Sequence, residues 1–590
     1  MGASAGATAV RGGHGDPAGA IAVAQFRQIM FLPLTLSADL DAPDLRGAVR
    51  CIADGLEAHG WSQSTDLLGH LATSDDTATL TPEAYAEFVY FHGFIQKFLY
   101  RKQVGNAAAD LRLFQRNIGA ALSVELPGFT VSLNIERLSL YLFDLGVAIL
   151  VLEVSAGDDP CIIAANGRPH LTLAHAQALQ NALRRLYPPY FEDDGTPEYP
   201  ARIGISDKTY VSKNEDWRGQ VARERTNPLA QFWRDLLSPL GVEGYHPAKH
   251  PGGVWRQIID ERLPSMCFIE TEHGKRVRRG DFMRLCFADN PSNDRYPYAE
   301  EFLKDFEREH CYDRHWYGDY GTRYLFSGYA MVMIGTGAKP KTKPGERFFR
   351  DVLQPHFRRH YFQMGLLNQL QVAALLAISH DLSQSADVRE TEGGPADRLR
   401  ERAAALQRRF LAFQQHYWFT QISNQLQARE MYALWRERLG TQELHEEVKE
   451  QLENVNDFLD GRWQEKMQTS AERLNIVAVL GLVFGLTASI LGMNVVVSED
   501  FFGAAFKTNK ALHVLLAFGA LFAVSGVARR VLDFLVPVQP GETAPAGLGR
   551  ERSNRGAQTA AQKLRAILHG ILAVSAGAAT LALIAFCNAR

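Results

Sequence analysis

Cysteine is scarce in this chain of 590 residues: Cys51, Cys161, Cys267, Cys286, Cys311 and Cys587 are scattered, and no two form a Cys-x-x-Cys pair. That spacing suits a reducing cytosol better than a disulfide framework. Charge of one sign is also lacking. Against 63 Lys and Arg stand 66 Asp and Glu, a net charge of −3, so the electrostatic footprint of a nucleic-acid binder is absent. Residues 1–20 are rich in Gly and Ala and have no apolar core, which excludes a secretory signal and predicts a disordered leader. No nucleophile, base and orienting group fall into a recognisable arrangement, so an enzyme is not expected, and no motif calls for an organic cofactor.

Two further absences shape the C-terminal third. After Gly440 and Thr441, a helix-ending glycine and a new N-cap, no Gly occurs until Gly461 and no Pro until Pro537. This predicts an unbroken helix from about 442 to 497, on the order of 80 Å long. Leu444, Val448, Leu452, Val455 and Leu459 form a seam along it suited to packing against partner helices, while Glu443, Glu446, Glu447, Glu450, Glu453, Asp457 and Asp460 lie on its other faces. The stretch 474–497 contains no ionised side chain and is long enough to cross a bilayer core of roughly 30 Å. At its far end stand Gly492, Met493 and Asn494, followed by the acidic pair Glu499 and Asp500.

A Gly-Met-Asn tripeptide closing the first membrane helix after a long soluble region and a stalk helix resembles the CorA family of magnesium transporters. Leu491 stands where that family usually has Tyr, and a third apolar segment follows the usual two. The resemblance implies an α+β membrane protein with an N-terminal cytoplasmic α/β domain, a helical stalk and C-terminal transmembrane helices, assembled as a homopentamer in the lipid bilayer. It also implies a selectivity filter at Gly492, Met493 and Asn494, and Mg2+ as the transported and regulatory ion. Asp457 falls at about the place of a family stalk aspartate that helps bind regulatory divalent ions at a subunit interface.

Physical chemistry supplies a reason for Asn494. Magnesium gives up its inner waters reluctantly, so a ring of amide oxygens from several chains can select the hydrated ion. Steps of three and four back from Gly492 place Ser489, Gly485, Leu482, Ala478 and Leu474 on one face; with several copies around an axis, as the resemblance implies, that face lines the pore and Leu474 and Leu482 would form dry constrictions. Plain helix packing asks for the same small residues. Glu499 and Asp500 form an acidic outer mouth, offset by Lys507 and Lys510.

Apolar segments at 511–528 and 566–586 predict a second and third span. Arg529, Arg530, Arg550, Arg552, Arg555, Lys563 and Arg565 between them mark a cytoplasmic connection. The expected topology in a bacterial-type inner membrane therefore has the N-terminus inside and the C-terminus outside.

Upstream the pattern is mixed α and β. A strand is expected over 26–36, and a hairpin from runs at 138–143 and 147–154 around Asp144-Leu145-Gly146. Thr81-Pro82-Glu83 starts a helix carrying a buried stripe of Tyr85, Phe88, Phe91, Ile95 and Phe98, and Thr172 caps a helix to about Tyr187. Between 188 and 344, turn residues interrupt short apolar runs; only 324–334 reads as a strand, and the region is taken as an insertion. Helices are expected over 348–382 and 397–439.

The resulting division is a leader at 1–20, an α/β domain at 21–345 with the insertion at 188–344, and long helices at 346–473. A membrane hairpin at 474–536, a basic linker at 537–565 and a third membrane helix at 566–590 complete it.

Three small constellations read as ordinary structure. His310, Cys311, Asp313 and His315 fit no zinc spacing, and Gly335-Thr336-Gly337 is a lone turn. His356 and His360, separated by Arg358 and Arg359, are expected on a solvated helix face. Two functions remain open: a divalent-cation channel, and a CorA-like membrane effector gated by a small signal molecule on its enlarged cytoplasmic domain.

Overall fold

The computed structural model describes residues 21–492 with gaps that include 38–51, 65–79, 101–110, 189–198, 244–253, 313–321, 338–346 and 387–394; beyond 492 it describes scattered positions between 519 and 584. The chain divides into two compact units, Met1–Leu452 and Glu453–Arg590.

The first unit is a mixed α/β structure built on one sheet. Its main path runs Cys311–Tyr312, Arg323–Phe326, Ala330–Thr336, Ser265–Thr271, Val23–Ser37, Val147–Ser155, Phe129–Phe143, Ala121–Leu126, Arg202–Ile205 and Lys208–Val211. Along this path every pairing is antiparallel except that of Ser265–Thr271 with Ala330–Thr336. The expected hairpin forms as read, with Gly146 at φ +73° closing the reversal. The central strand, Val23–Ser37, is buried on both faces, as a strand covered by helices on each side must be. Phe26, Met30, Leu32 and Leu34 join the cluster that contains Leu173, Ala176 and Leu179 of the helix Leu173–Leu183. On the opposite face Phe31 stacks on Phe362, which opens the helix Phe362–Ala386.

Local chemistry accounts for the helix starts. Thr81 Oγ1 accepts from Ala84 N–H with Pro82 in the first turn, and Thr172 and His175 exchange both bonds of a capping box. Several expectations need correction. The helix from Pro82 stops at Tyr90 and restarts at Gly93, because Gln96 Nε2 donates to the carbonyls of Phe88 and Phe91 and stabilises the break. The buried stripe accordingly runs through Ala84, Glu87, Phe91, Ile95 and Leu99, and Tyr85 is 60% exposed.

The stretch 324–334 is two strands joined by a turn that Ser327 Oγ holds, accepting from the N–H groups of Tyr329 and Ala330. Region 188–344 supplies six of the ten strands on the main sheet path, including Ser265–Thr271 beside the central strand, so it is built into the domain core. The helix expected over 397–439 is two helices, Pro395–His416 and Leu426–Arg438. Buried Gln371 donates to the carbonyls of Tyr417 and Phe419 between them, and Tyr432 Oη also donates to Phe419.

Gly440, at φ +63°, ends the second of these helices in the left-handed conformation that glycine adopts without a Cβ penalty. From Thr441 a single helix of 52 residues continues to Gly492. The start of its seam is covered by its own chain: Val448 and Leu452 are buried, and His445 stacks on Trp418 at 4.2 Å. Among the described residues one helical stretch, Phe348–Ser383, is long and apolar enough to cross a membrane, and it is mostly buried inside the protein as a core helix.

Candidate functional site

The first candidate site lies on the helix Thr441–Gly492. Leu474, Ala478, Leu482 and Gly485 are described and exposed, with Leu474 at 69% and Leu482 at 59%, and Ser489 and Gly492 belong to the same helix. Asp457 is exposed on it. Met493, Asn494, Glu499 and Asp500 lie outside the described residues, as do large parts of the second and third expected spans. Among the described residues no three His, Cys, Asp or Glu side chains gather as a metal group.

The short constellations resolve into packing. His310 Nδ1 pairs with the Phe326 carbonyl at 2.7 Å and its ring stacks on Phe306, Cys311 is buried, and Asp313 and His315 lie outside the described residues. Gly335 and Gly337 are glycines for want of space: a Cβ on the first would meet the Phe349 ring at 2.3 Å, and one on the second the Glu270 carboxylate at 2.0 Å. His356 and His360 do not form a solvated face. Their rings meet at 4.7 Å and His360 is buried, which pushes its pKa down to about 4 through desolvation and its neighbour His356.

A site that the sequence reading missed lies beside them. The segments Phe348–Leu353 and Phe357–Tyr361 are π-helical, the wider turn that recurs at functional sites. They face the sheet surface that carries Arg27, Arg137, Ser139, Tyr141 and Glu153, where alternation along each strand puts these residues on the side of the helix Phe362–Ala386.

Glu153 is wholly buried at the centre. Arg27 Nη1 donates to its Oε1 at 2.6 Å, Arg358 Nε to the same oxygen at 3.0 Å, and Arg137 Nε lies 3.0 Å from Oε2. Burial would raise its pKa, yet Arg137, Arg27 and Arg358 together hold it down to about 2. Glu136 takes Ser155 Oγ at 2.6 Å and, at 3.5 Å each, Arg27 and Arg358. Arg137 lies over the Phe362 ring at 4.1 Å, and its Nη2 donates to the Arg358 carbonyl. The guanidinium network therefore ties the strand Phe129–Phe143 to the π-helical turn.

Over this network opens a cleft of about 600 Å³. Arg116, Arg137, Arg358 and Arg359 line it against Glu83 and Glu136, a formal excess of two positive charges; Asn117 and Ser139 add uncharged polar groups. A recess of about 30 Å³ formed by Glu87, Tyr141, Gln363 and the inner arginines borders it. There Glu87 accepts from Tyr100 Oη at 2.6 Å, and burial raises its pKa against the opposing effects of that bond and of Arg359. Two buried atoms at the cleft, Ser139 Oγ and Arg359 Nη1, have no hydrogen-bond partner among the described residues. The signal in the sequence was Arg358-Arg359 inside an apolar helix and Glu136-Arg137 inside a strand that otherwise alternates cleanly.

No family model matches the chain, and neither the curated proteins nor the solved structures contain a match.

Proposed function

We propose that this protein is an oligomeric divalent-cation channel of the CorA type, with magnesium as its ion, seated in the plasma membrane with its N-terminal unit in the cytoplasm. The observation that carries the reading is the single helix described over Thr441–Gly492, which starts after Gly440 and carries the apolar stretch up to the residue before Met493 and Asn494. Exposed Leu474 and Leu482 on that helix support a membrane segment, where apolar side chains meet lipid or neighbouring copies. In this reading a homopentamer sets five Asn494 amides at the pore entrance, and Asp457 contributes to a regulatory cation site.

The test is flux in proteoliposomes, measured per oligomer for magnesium, zinc and sodium. Asn494→Ala is expected to abolish selective divalent flux with the oligomer intact, and Asn494→Asp to retain cation affinity while altering selectivity. Unchanged selective flux in Asn494→Ala overturns the filter assignment.

The arginine-lined cleft favours a second reading, a membrane effector that conducts only when a small molecule occupies the N-terminal unit. Absence of wild-type flux under every ion gradient, with flux restored by a ligand of the cleft, selects it.

A further inference from the structure

The geometry points to the cleft between the π-helical turn and the strand Phe129–Phe143 as a binding site for a phosphorylated small molecule. This deepens the second reading above by naming the ligand class, and it is tested by binding alone, without ion flux.

Charge is the first argument. Arg27, Arg137 and Arg358 are spent on Glu153 and Glu136, whereas no carboxylate contacts Arg116 or Arg359 among the described residues. The excess of two positive charges matches a phosphoryl group, which carries about −1.5 to −2 at neutral pH, better than a single carboxylate. Guanidinium groups bind phosphate oxygens in pairs, so two that lack an ion-pair contact among the described residues, Arg359 on the π-helical turn and Arg116 just beyond the strand Leu111–Gln115, suit a phosphoryl group held between them.

Hydrogen-bond chemistry is the second. Arg359 Nη1 can only donate, and it is buried without an acceptor; Ser139 Oγ, on a residue of 0% exposure, also has no partner. A buried polar group left unmade costs about 1–3 kcal/mol, and an acceptor-rich ligand removes that cost at both atoms. Size is the third. A cleft of about 600 Å³ falls within the roughly 300–1,000 Å³ of small-molecule sites and is too small for a macromolecule.

The experiment is titration calorimetry on the purified full-length protein in detergent, with inorganic pyrophosphate and ADP as probes and sodium acetate as the control anion. Pyrophosphate reports the phosphoryl contacts alone, and ADP adds an organic moiety. Either probe is expected to bind once per chain with a Kd below about 1 mM, and acetate not at all. Arg116→Gln and Arg359→Gln should each weaken binding by about tenfold or more. Arg202→Gln, on an exposed arginine beside Glu125, should leave it unchanged. Ser139→Ala removes a hydroxyl that has no partner in the fold, so it should fold normally and still weaken binding a few-fold. Failure of both probes to bind folded wild-type protein, or binding that survives Arg116→Gln, Arg359→Gln and Ser139→Ala together, overturns the site whatever the flux experiments give.

Discussion

Arg137 and Glu153 are register partners on neighbouring antiparallel strands, and their side chains meet at 3.0 Å on the buried face of the sheet. Arg27 and Arg358 approach the same carboxylate from the next strand and from the π-helical turn. One carboxylate therefore neutralises charges from three elements that are far apart in sequence.

Removing that charge should be costly. Glu153→Gln leaves Arg27, Arg137 and Arg358 facing one another around a buried, uncharged amide, and a broken buried pair typically costs about 3–5 kcal/mol. Denaturant unfolding of the full chain should show that loss. A loss under about 1 kcal/mol would mean that water or Glu136 compensates the cluster. The pH dependence has a definite sign: a carboxyl held at about 2 when folded contributes stability that is complete above its ordinary value near 4.5 and is lost as pH falls from there through 2.

His360 works in a different window. Its folded pKa of about 4 lies below the ordinary 6.5, so between these values the unfolded chain takes up a proton that the folded one refuses. Stability should fall by about 3 kcal/mol as pH drops from 6.5 to 4. Glu87, raised by burial, acts with the opposite sign just above its ordinary pKa, so the comparison must be between wild type and His360→Gln. Thermal melts from pH 7 to 4 should show a shallower decline in the variant; parallel curves would remove His360 as the cause.

Gly335 offers a packing test. A Cβ there would sit 2.3 Å from the Phe349 ring, which stacks on Phe268 at 4.4 Å and has little freedom to withdraw. Gly335→Ala should destabilise by about 1–3 kcal/mol. Adding Phe349→Leu should cost less in the alanine background than in wild type, a coupling that a double-mutant cycle measures. Strictly additive losses would show that the two residues do not compete for the same space.

The parts legible in the sequence were those fixed by short-range chemistry. Thr81, Thr172 and Gly440 announced helix ends, and alternation with Gly146 announced the hairpin. The break at Tyr417–Gln425 was not legible, because Gln371, which donates to the carbonyls of Tyr417 and Phe419, comes from another helix, Phe362–Ala386. The cleft escaped for a related reason. Arg358 and Arg359 look like a solvated pair until Glu153, some two hundred residues upstream, is seen to meet the first of them. The strands of region 188–344 are short and separated by turns, so only their partners reveal them as core. The Gly-Met-Asn stretch was conspicuous in sequence, but its last two residues lie outside the described ones.

The central strand also sets a timetable for making this protein. Met30 pairs with Leu152 on one side and with Ser265 on the other. At roughly 5–20 residues per second of synthesis, the second partner follows the strand by about 10 to 50 s. During that interval an apolar strand has one hydrogen-bonding edge open, the condition under which chains pair with one another instead of with themselves. Truncated products ending before residue 265 should therefore be the ones that aggregate.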